Sequence, residues 1–310
     1  MLRLENIKIR EDLEDVDVAK VACKKYKIEF SDVNEYSIFK KSVDARNKSD
    51  IFYNYTIDVK VKNEKKYPNI KQVDKEVYDI NVQVKRKSNL RPVIIGAGPA
   101  GLFAGLVLVN NGVKPIIIEQ GKRVEDRKKD VDDFINGGKL NVKSNIQFGE
   151  GGAGTFSDGK LTSGIHSIYC RNVLEEFVKF GAPEQIKYVN KPHIGTDNLV
   201  NIIKNMRNYI IAQGGTFLFN TKFIDLETTN SSVSKVIVTH LDTDATEKID
   251  ANVVILAIGH SSRDTFKKVY EKGLLLEPKN FSVGVRIEHL QSEINKAQYG
   301  TLTKLKLPSA

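Results

Sequence analysis

The sequence predicts an α/β fold: a parallel-sheet domain with a β-hairpin insertion, preceded by a small α+β domain. Three observations predict it. Residues 1–88 alternate strand-like runs with one amphipathic helix. Residues 92–119 compress strand, glycine turn, apolar helix and strand into the size of one parallel crossover. Val253–Ile258 is a continuous apolar run of strand length, stopped by Gly259.

In the first domain, Leu2–Ile9 alternates imperfectly as a strand, and Asp15–Tyr26 carries Val16, Val18, Ala19, Ala22 and Cys23 at near-helical spacing. Ile38–Ala45 and Ile51–Val61 follow as strands. The second sets Tyr53, Tyr55, Ile57, Val59 and Val61 on one face against Asn54, Thr56, Asp58 and Lys60 on the other. Asn63–Lys66 and Lys85–Asn89 are connectors. No catalytic constellation occurs in this part. The second domain, residues 89–272, opens on the strand Pro92–Ile95, followed by a helix from Pro99 to about Asn111 and the strand Pro115–Glu119. Asp197–Gln213 is predicted as a helix, Thr216–Phe219 as a strand, and Phe223–Ile249 as hairpin strands. Residues 273–310 are expected to begin a further, incomplete substrate domain, with Phe281–His289 as an alternating strand.

Bulk properties exclude several classes. The amino terminus is charged throughout and has no apolar core of signal-peptide length, and no run approaches the ~20 residues that span a bilayer. A cytoplasmic protein is expected. The two cysteines, Cys23 and Cys170, form no CxxC, so neither a vicinal redox pair nor zinc spacing is present. The net charge of +9 is diffuse: residues 1–90 hold 20 Lys/Arg against 16 Asp/Glu, and the rest hold 28 against 23. A general lysine bias explains this better than a nucleic-acid face.

Gly96-Ala97-Gly98-Pro99-Ala100-Gly101 is a G-x-G-x-x-G at a strand-to-helix turn, and each glycine has a physical task. Gly96 permits the turn, Gly98 lets the backbone approach a pyrophosphate, and Gly101 lets helix and strand pack closely; Gly105 extends that packing. Pro99 falls at the first helical position, where its missing N–H costs nothing. The free N–H groups at the helix start favour phosphate. Glu119 closes the next strand 21 residues after Gly98, where an acid meets ribose hydroxyls and disfavours a 2′-phosphate. These features predict a Rossmann-like dinucleotide-binding domain.

The long loop Phe148–Lys160, with glycines at 149, 151, 152, 154 and 159, would let backbone amides run along a cofactor longer than the first motif covers. It points to FAD over NAD. Two apparent motifs inside this loop fail on context. Gly149-x-Gly151-x-x-Gly154 lacks the buried strand and apolar helix, and Leu161 stands where a P-loop needs Ser or Thr.

Four stretches carry a resemblance. Val93–Gly101, Gln147–Leu161, His193–Asp197 and Ala257–Phe266 resemble bacterial FAD-dependent dehydrogenases of undefined substrate, within the flavoproteins that have two dinucleotide-binding domains. The likeness implies that Gly96, Gly98, Pro99 and Gly101 contact the FAD pyrophosphate and Glu119 the adenosine ribose, with Ala100 and Gln120 also among the cofactor-binding residues. It also implies that Arg123 and the stretch Gly151, Gly152, Ala153, Gly154 and Thr155 line the cofactor. Phe223 falls on the strand whose backbone meets the adenine, and Gly259 on the close approach to FAD. Members of that family run well beyond 310 residues, so the chain is expected to be the amino-terminal part of a longer protein.

Other polar residues give no site. His260, Ser261 and Asp264 are neighbours without a nucleophile elbow, and helix capping by Ser261 or Ser262 is the expected use. His166, His193, His240 and His289 are scattered, which argues against a metal. Arg286 and His289 would face either a substrate or solvent. No catalytic side chain is named, because a flavin carries its own redox chemistry. NADH or NADPH would serve as a transient electron donor. The expected function is an FAD-dependent oxidoreductase with an unspecified small-molecule substrate and oligomeric state. The rivals are an NAD-binding dehydrogenase and a non-catalytic nucleotide- or RNA-binding module.

Overall fold

The computed structural model describes residues 1–75, 89–156, 159–162, 164–165, 167–285, 287–301 and 306–309. The expected connector at residues 85–88, His166 and Arg286 lie outside the described residues. The chain divides into two compact units. One comprises Met1–Val77, Glu184–Pro192 and Asn280–Ala310, the other Tyr78–Pro183 and His193–Lys279.

The first unit contains three antiparallel strands, β1 (Leu2–Ile9), β2 (Val33–Asp44) and β3 (Phe52–Val61), in the order β1-β3-β2. Helix α1 (Asp15–Lys25) covers one face. Asp15 and Asp17 in its first turn and Lys24 and Lys25 in its last oppose the helix dipole favourably. Its Val18, Ala19, Ala22 and Cys23 are buried, and Val18, Ala22 and Cys23 share a core with Leu2, Leu4, Ile57 and Val59. The face predicted for β3, from Tyr53 to Val61, is the one in this core. β2 begins five residues before its sequence signal. Val33, Glu35, Tyr36 and Ser37 pair with Val61, Lys60, Val59 and Asp58, so a tertiary partner recruits residues whose local pattern is weak. β1 bulges between Leu4 and Ile7, where Asn6 has φ 57°. The Tyr26 hydroxyl accepts from the Glu5 N–H, and Lys25 Nζ donates to Asn6 O at 2.7 Å.

The second unit holds a parallel sheet and a separate antiparallel one. The parallel strands are β4 (Val93–Ile95), β5 (Ile116–Ile118), β6 (Thr216–Leu218) and β10 (Val254–Leu256), in the order β10-β4-β5-β6. They pair in strict register, with Val254, Val93, Ile116 and Thr216 in one row. Val93, Ile94 and Ile95 are all buried because both faces are covered. The antiparallel sheet is β7 (Thr221–Thr229), β8 (Ser232–His240) and β9 (Ala245–Asp250). Its Phe223, Val236 and Val238 pack against Val93, Ile95 and Ile118. Helices α2 (Pro99–Asn110) and α5 (Thr196–Ala212) lie on the opposite face: a Cβ on Gly105 of α2 would meet Ile117 and Ile210 side chains at 2.9 and 3.1 Å. The fold is thus α/β and Rossmann-like, of the kind FAD-binding domains have, with β-hairpin strands inserted and a small α+β unit before it.

Helices α3 (Val124–Ile135), α4 (Ile168–Lys179), α6 (Arg263–Glu271) and α7 (Gln291–Tyr299) are also present. α3, α4 and α7 are not among the helices expected from the sequence, although α4 carries Tyr169, Val173, Leu174, Phe177 and Val178 at helical spacing. The alternating stretch Phe281–His289 is not a strand among its described residues. Phe281, Val283, Val285 and Ile287 are all exposed, and alternation without a pairing partner does not make a sheet.

Candidate dinucleotide site

The order β10-β4-β5-β6 creates a topological switch point. The chain leaves β4 for β5 on one side, and β10 returns on the other side of β4. In open α/β sheets ligands bind outside the carboxyl ends of the strands at such a point. Gly96 occupies it with φ 103°, and a Cβ there would meet Ala257 O, just after β10, at 2.4 Å. The turn is tied down: the Gly96 N–H donates to Ile118 O at 2.7 Å. A Cβ on Gly101 would lie 1.9 Å from Gly96 O, so helix and turn touch backbone to backbone. Gly98 is the N-cap of α2, and Pro99 and Ala100 are exposed. The first turn of a helix leaves its N–H groups without intrahelical partners, here those of Ala100 and Gly101. A solvent-open helix start with no side chain in front is a cradle for an anion.

Glu119 is buried immediately after β5. Its Oε2 accepts the Ala97 N–H at 2.9 Å and its Oε1 the Gly121 N–H at 2.8 Å. The carboxylate is therefore fixed beside the glycine turn. With about four lone-pair sites, it keeps acceptor capacity for hydroxyls. Gln120 is half-buried next to it.

The glycine-rich loop reaches the same turn. The Gly151 N–H donates to Ala97 O at 2.9 Å, and a Cβ on Gly152 would meet Pro99 Cδ at 2.9 Å. Gly98 and Gly152 pack backbone to backbone: a Cβ on Gly98 would lie 3.9 Å from the Gly152 Cα, and a Cβ on Gly152 3.5 Å from the Gly98 Cα. Ala153 and Gly154 are exposed in a short 3-10 turn, and Thr155 is buried with its N–H on Gly152 O. The structure thus brings Gly96, Gly98, Pro99, Ala100, Gly101, Glu119, Gly151 and Gly152 together. Gly259, at φ 66° with nothing within 4 Å of its Cβ position, follows β10 three residues after Leu256.

Two expected residues remain, Phe223, expected through its strand's backbone, and Arg123. The Phe223 side chain is in the core beneath the parallel sheet, leaving only its backbone for a ligand. Arg123, the N-cap of α3, is exposed in a cleft of about 710 Å³ shared with Lys122, Phe217, Phe219, Thr221 and His240. Phe217 and Phe219 stack there at 5.6 Å and 11°, and the Arg123 guanidinium lies 5.6 Å from the Phe219 ring centre. Outside the site, Asp264 pairs with Lys222, and the His260–Ser261 contact is a surface one, so no triad forms. Ser262 is the N-cap of α6, but its hydroxyl donates back to Ile258 O at 3.0 Å and does not cap the helix.

Three residues that the sequence did not single out build the loop. Arg127 is fully buried on α3, and its guanidinium donates to the carbonyls of Asn145, Ile146, Gly149 and Glu150 at 2.7, 2.9, 3.2 and 2.6 Å. Burial pushes it down to about 10. A Cβ on Gly149 would strike Arg127 Cδ at 2.4 Å, so the clamp needs glycine there. Glu150 is also fully buried. Its Oε2 accepts the Val124 N–H at 2.8 Å and Arg207 Nη1 at 2.6 Å, while Oε1 has no partner among the described residues. Burial raises its carboxyl to about 7, against the opposing pull of Arg207 and the Val124 N–H. Arg207 of α5 is completed by a bidentate pairing with Glu125 at 2.9 and 2.6 Å, which holds the Glu125 carboxyl down to about 2. One signal in the sequence marks this cluster: Val124, Arg127 and Val131 fall at i, i+3 and i+7 on α3, which puts a charge in a core position.

This topology and turn define a Rossmann-like α/β domain of the kind FAD-binding domains have. Residues 90–129 match the FAD binding domain family, and residues 1–60 match a domain of unknown function (DUF8436). An uncharacterized protein of Clostridium beijerinckii is 41% identical over 306 residues, covering 96% of this chain. The chain spans 56% of that relative's length. Among solved structures, THI4 from Thermovibrio ammonificans aligns at a TM-score of 0.40 and 18% identity, over 60% of this chain and 64% of the other. The glycerol-3-phosphate dehydrogenase from Bacillus halodurans complexed with FAD aligns at 0.37 and 16% over 58% and 36%. A flavoprotein/dehydrogenase from Cytophaga hutchinsonii aligns at 0.36 and 16% over 62% and 44%. Among the described residues, no helix is long and apolar enough to cross a membrane.

Proposed function

We propose that the chain holds FAD and forms the cofactor-binding part of an oxidoreductase whose substrate is a small molecule. The observation that carries this reading is the joining of two glycine segments at one open helix start, through the Gly151 N–H to Ala97 O bond. A single glycine turn serves any dinucleotide. The second glycine segment, packed against Gly98 and Pro99 at Gly152, extends the backbone surface beside the turn and suits a ligand that reaches beyond one pyrophosphate contact. The match of residues 90–129 to the FAD binding domain family supports the same choice.

In this reading Gly98, Ala100 and Gly101 present backbone and N–H groups to the pyrophosphate, with Pro99 fixing the helix start. Glu119 accepts the adenosine ribose hydroxyls, and its negative charge disfavours a 2′-phosphate there. We assign the adenosine end to the side of the cleft bearing Arg123, with Gln120 and the Phe223 backbone beside it. Gly152, Ala153, Gly154 and Thr155 line the cofactor, and Gly259 leaves room for its approach. Bound FAD would supply the two-electron redox chemistry, and the chain supplies position and electrostatics. NADH or NADPH would deliver electrons transiently. Against an RNA-binding role, the amino-terminal unit pairs Arg3 with Asp58, Arg10 with Asp50, and Lys75 with Glu35, which neutralises cations that a phosphate backbone would need.

The test is to purify the chain, record its visible absorbance and identify any nucleotide released on denaturation. Stoichiometric FAD, lost in Gly98→Glu, is the expected result. A folded chain that takes up NAD and refuses added FAD would overturn the assignment.

A further inference from the structure

We propose that Glu150 and Arg207 are positioning residues for the cofactor: together they hold the glycine-rich loop in the conformation that closes on the α2 turn. This rests on the reading of the site as an FAD cradle.

The loop has an entropy problem. Gly149, Gly151 and Gly152 all have positive φ, at 125°, 85° and 68°, and glycine loses more conformational freedom on ordering than any other residue. Something must fix them before a ligand can use their backbone. Glu150 lies between these glycines and is anchored from several sides. Its N–H donates to Lys122 O at 3.2 Å, its carbonyl accepts from Arg127, and its Oε2 accepts from both Val124 and Arg207. The next residue, Gly151, makes the hydrogen bond to Ala97 that joins the two glycine segments. Glu150 therefore ties α3 and α5 to the peptide through which the loop hydrogen-bonds the phosphate-binding turn.

A plain stability role explains this poorly. The Glu150 carboxylate is 0% and the Arg207 side chain 5% exposed, and a buried ion pair generally stabilises no more than apolar residues of the same volume. What it supplies is direction. Arg207 Nη1 is shared between Glu125 and Glu150, so the guanidinium fixes the loop relative to both helices at one point. Pre-organising a loop raises affinity by removing an ordering cost from the binding step.

The experiment uses the full chain stripped of nucleotide, with two readouts. Titration with FAD and with ADP gives dissociation constants, and amide hydrogen exchange at Gly151 and Gly152 reports the loop with no ligand present. Glu150→Ala and Arg207→Met are expected to weaken both ligands about tenfold or more and to speed exchange at Gly151, while the parallel-sheet amides stay protected. Glu150→Gln, whose amide oxygen can take the same two donors, is expected to restore binding to within about threefold of the unsubstituted chain. Should the first two variants fail to fold, Arg207→Lys serves: it keeps the charge but cannot bridge both glutamates, and intermediate losses are expected. Unchanged affinity and unchanged Gly151 exchange in the folded variants would overturn the proposal. A chain that protects Gly151 through Glu150 but binds neither FAD nor ADP would instead overturn the cofactor reading and leave the loop-holding role standing.

Discussion

Replacing Arg127 with methionine gives the most demanding check on how the loop is built. The guanidinium is fully buried and donates to four backbone carbonyls, those of Asn145, Ile146, Gly149 and Glu150. Each hydrogen bond to a charged donor is worth about 1.5–3 kcal/mol net, but the four share one desolvation cost that offsets several kcal/mol. Methionine fills much of the aliphatic volume, so the cavity penalty is small and the loss is mainly polar. The expected destabilisation is about 3–5 kcal/mol, since each buried carbonyl left without a partner costs about 1–3 kcal/mol and removal of the buried charge returns part of that. In a unit of this size that corresponds to a fall in Tm on the order of 10 °C. The damage should also be local: limited proteolysis is expected to cut first between residues 141 and 156, where the orphaned carbonyls must find water. A variant with a Tm within about 2 °C of the unsubstituted chain and no new cleavage in that loop would refute this account.

Three further outcomes follow from the same geometry. Gly101→Ala places a Cβ 1.9 Å from Gly96 O, so α2 must shift off β4; a loss of at least about 3 kcal/mol by chemical denaturation, together with loss of FAD, is expected. Glu150 gives a pH dependence. Its folded value of about 7 lies above the ordinary 4.5, so its contribution is fully present below about 4.5 and is lost as pH rises through about 7. At about 1.4 kcal/mol per pH unit the change is up to about 3 kcal/mol, set by burial, with Glu125 of α3 adding to it and Arg207 of α5 and the Val124 N–H opposing it. Denaturation midpoints measured from pH 5 to 8 should therefore fall more steeply for the unsubstituted chain than for Glu150→Gln, and parallel curves would count against it. In the amino-terminal unit, Asp58→Asn breaks the paired contacts to Arg3 at 2.7 and 2.8 Å and should cost about 2 kcal/mol, read as a lower midpoint for that unit's unfolding.

Much of the fold could be read in the sequence where a short apolar run met a glycine or proline. Val93–Ile95 and Ile116–Ile118 are inner strands of the sheet and apolar throughout, while the edge strand Val254–Leu256 is apolar although Leu256 is exposed; Gly96, Gly112 and Gly259 punctuate these runs. Helix α3 escaped because its buried face is Val124, Arg127 and Val131, and an arginine in a core position breaks the apolar period. Phe281–Ile287 erred in the other direction: its alternation is strand-like, yet Phe281, Val283, Val285 and Ile287 are all exposed. Strand propensity describes fit to a half-buried pleated surface, and without that surface it predicts nothing.

The site divides along the same line. Glycines at 96, 98 and 101 are legible because a missing side chain at a strand-to-helix turn serves close backbone approach and little else. The residues that hold the second loop are charged, and a charge in a sequence reads as solvated surface by default. Only the fold reverses that reading, by burying Arg127 and Glu150 completely. The two kinds of residue are physically complementary. A backbone cradle needs glycine so that a ligand can approach, and glycine leaves the chain too free to keep the cradle shaped. Rigid side chains must then come from outside the glycine run and grip the loop, as Arg127 does through its carbonyls from α3 and Arg207 through Glu150 from α5. Wherever a glycine-rich loop is read as a binding loop, a buried arginine or glutamate on a neighbouring helix is the feature to look for next, because a loop without such a grip would spend its binding energy on its own ordering.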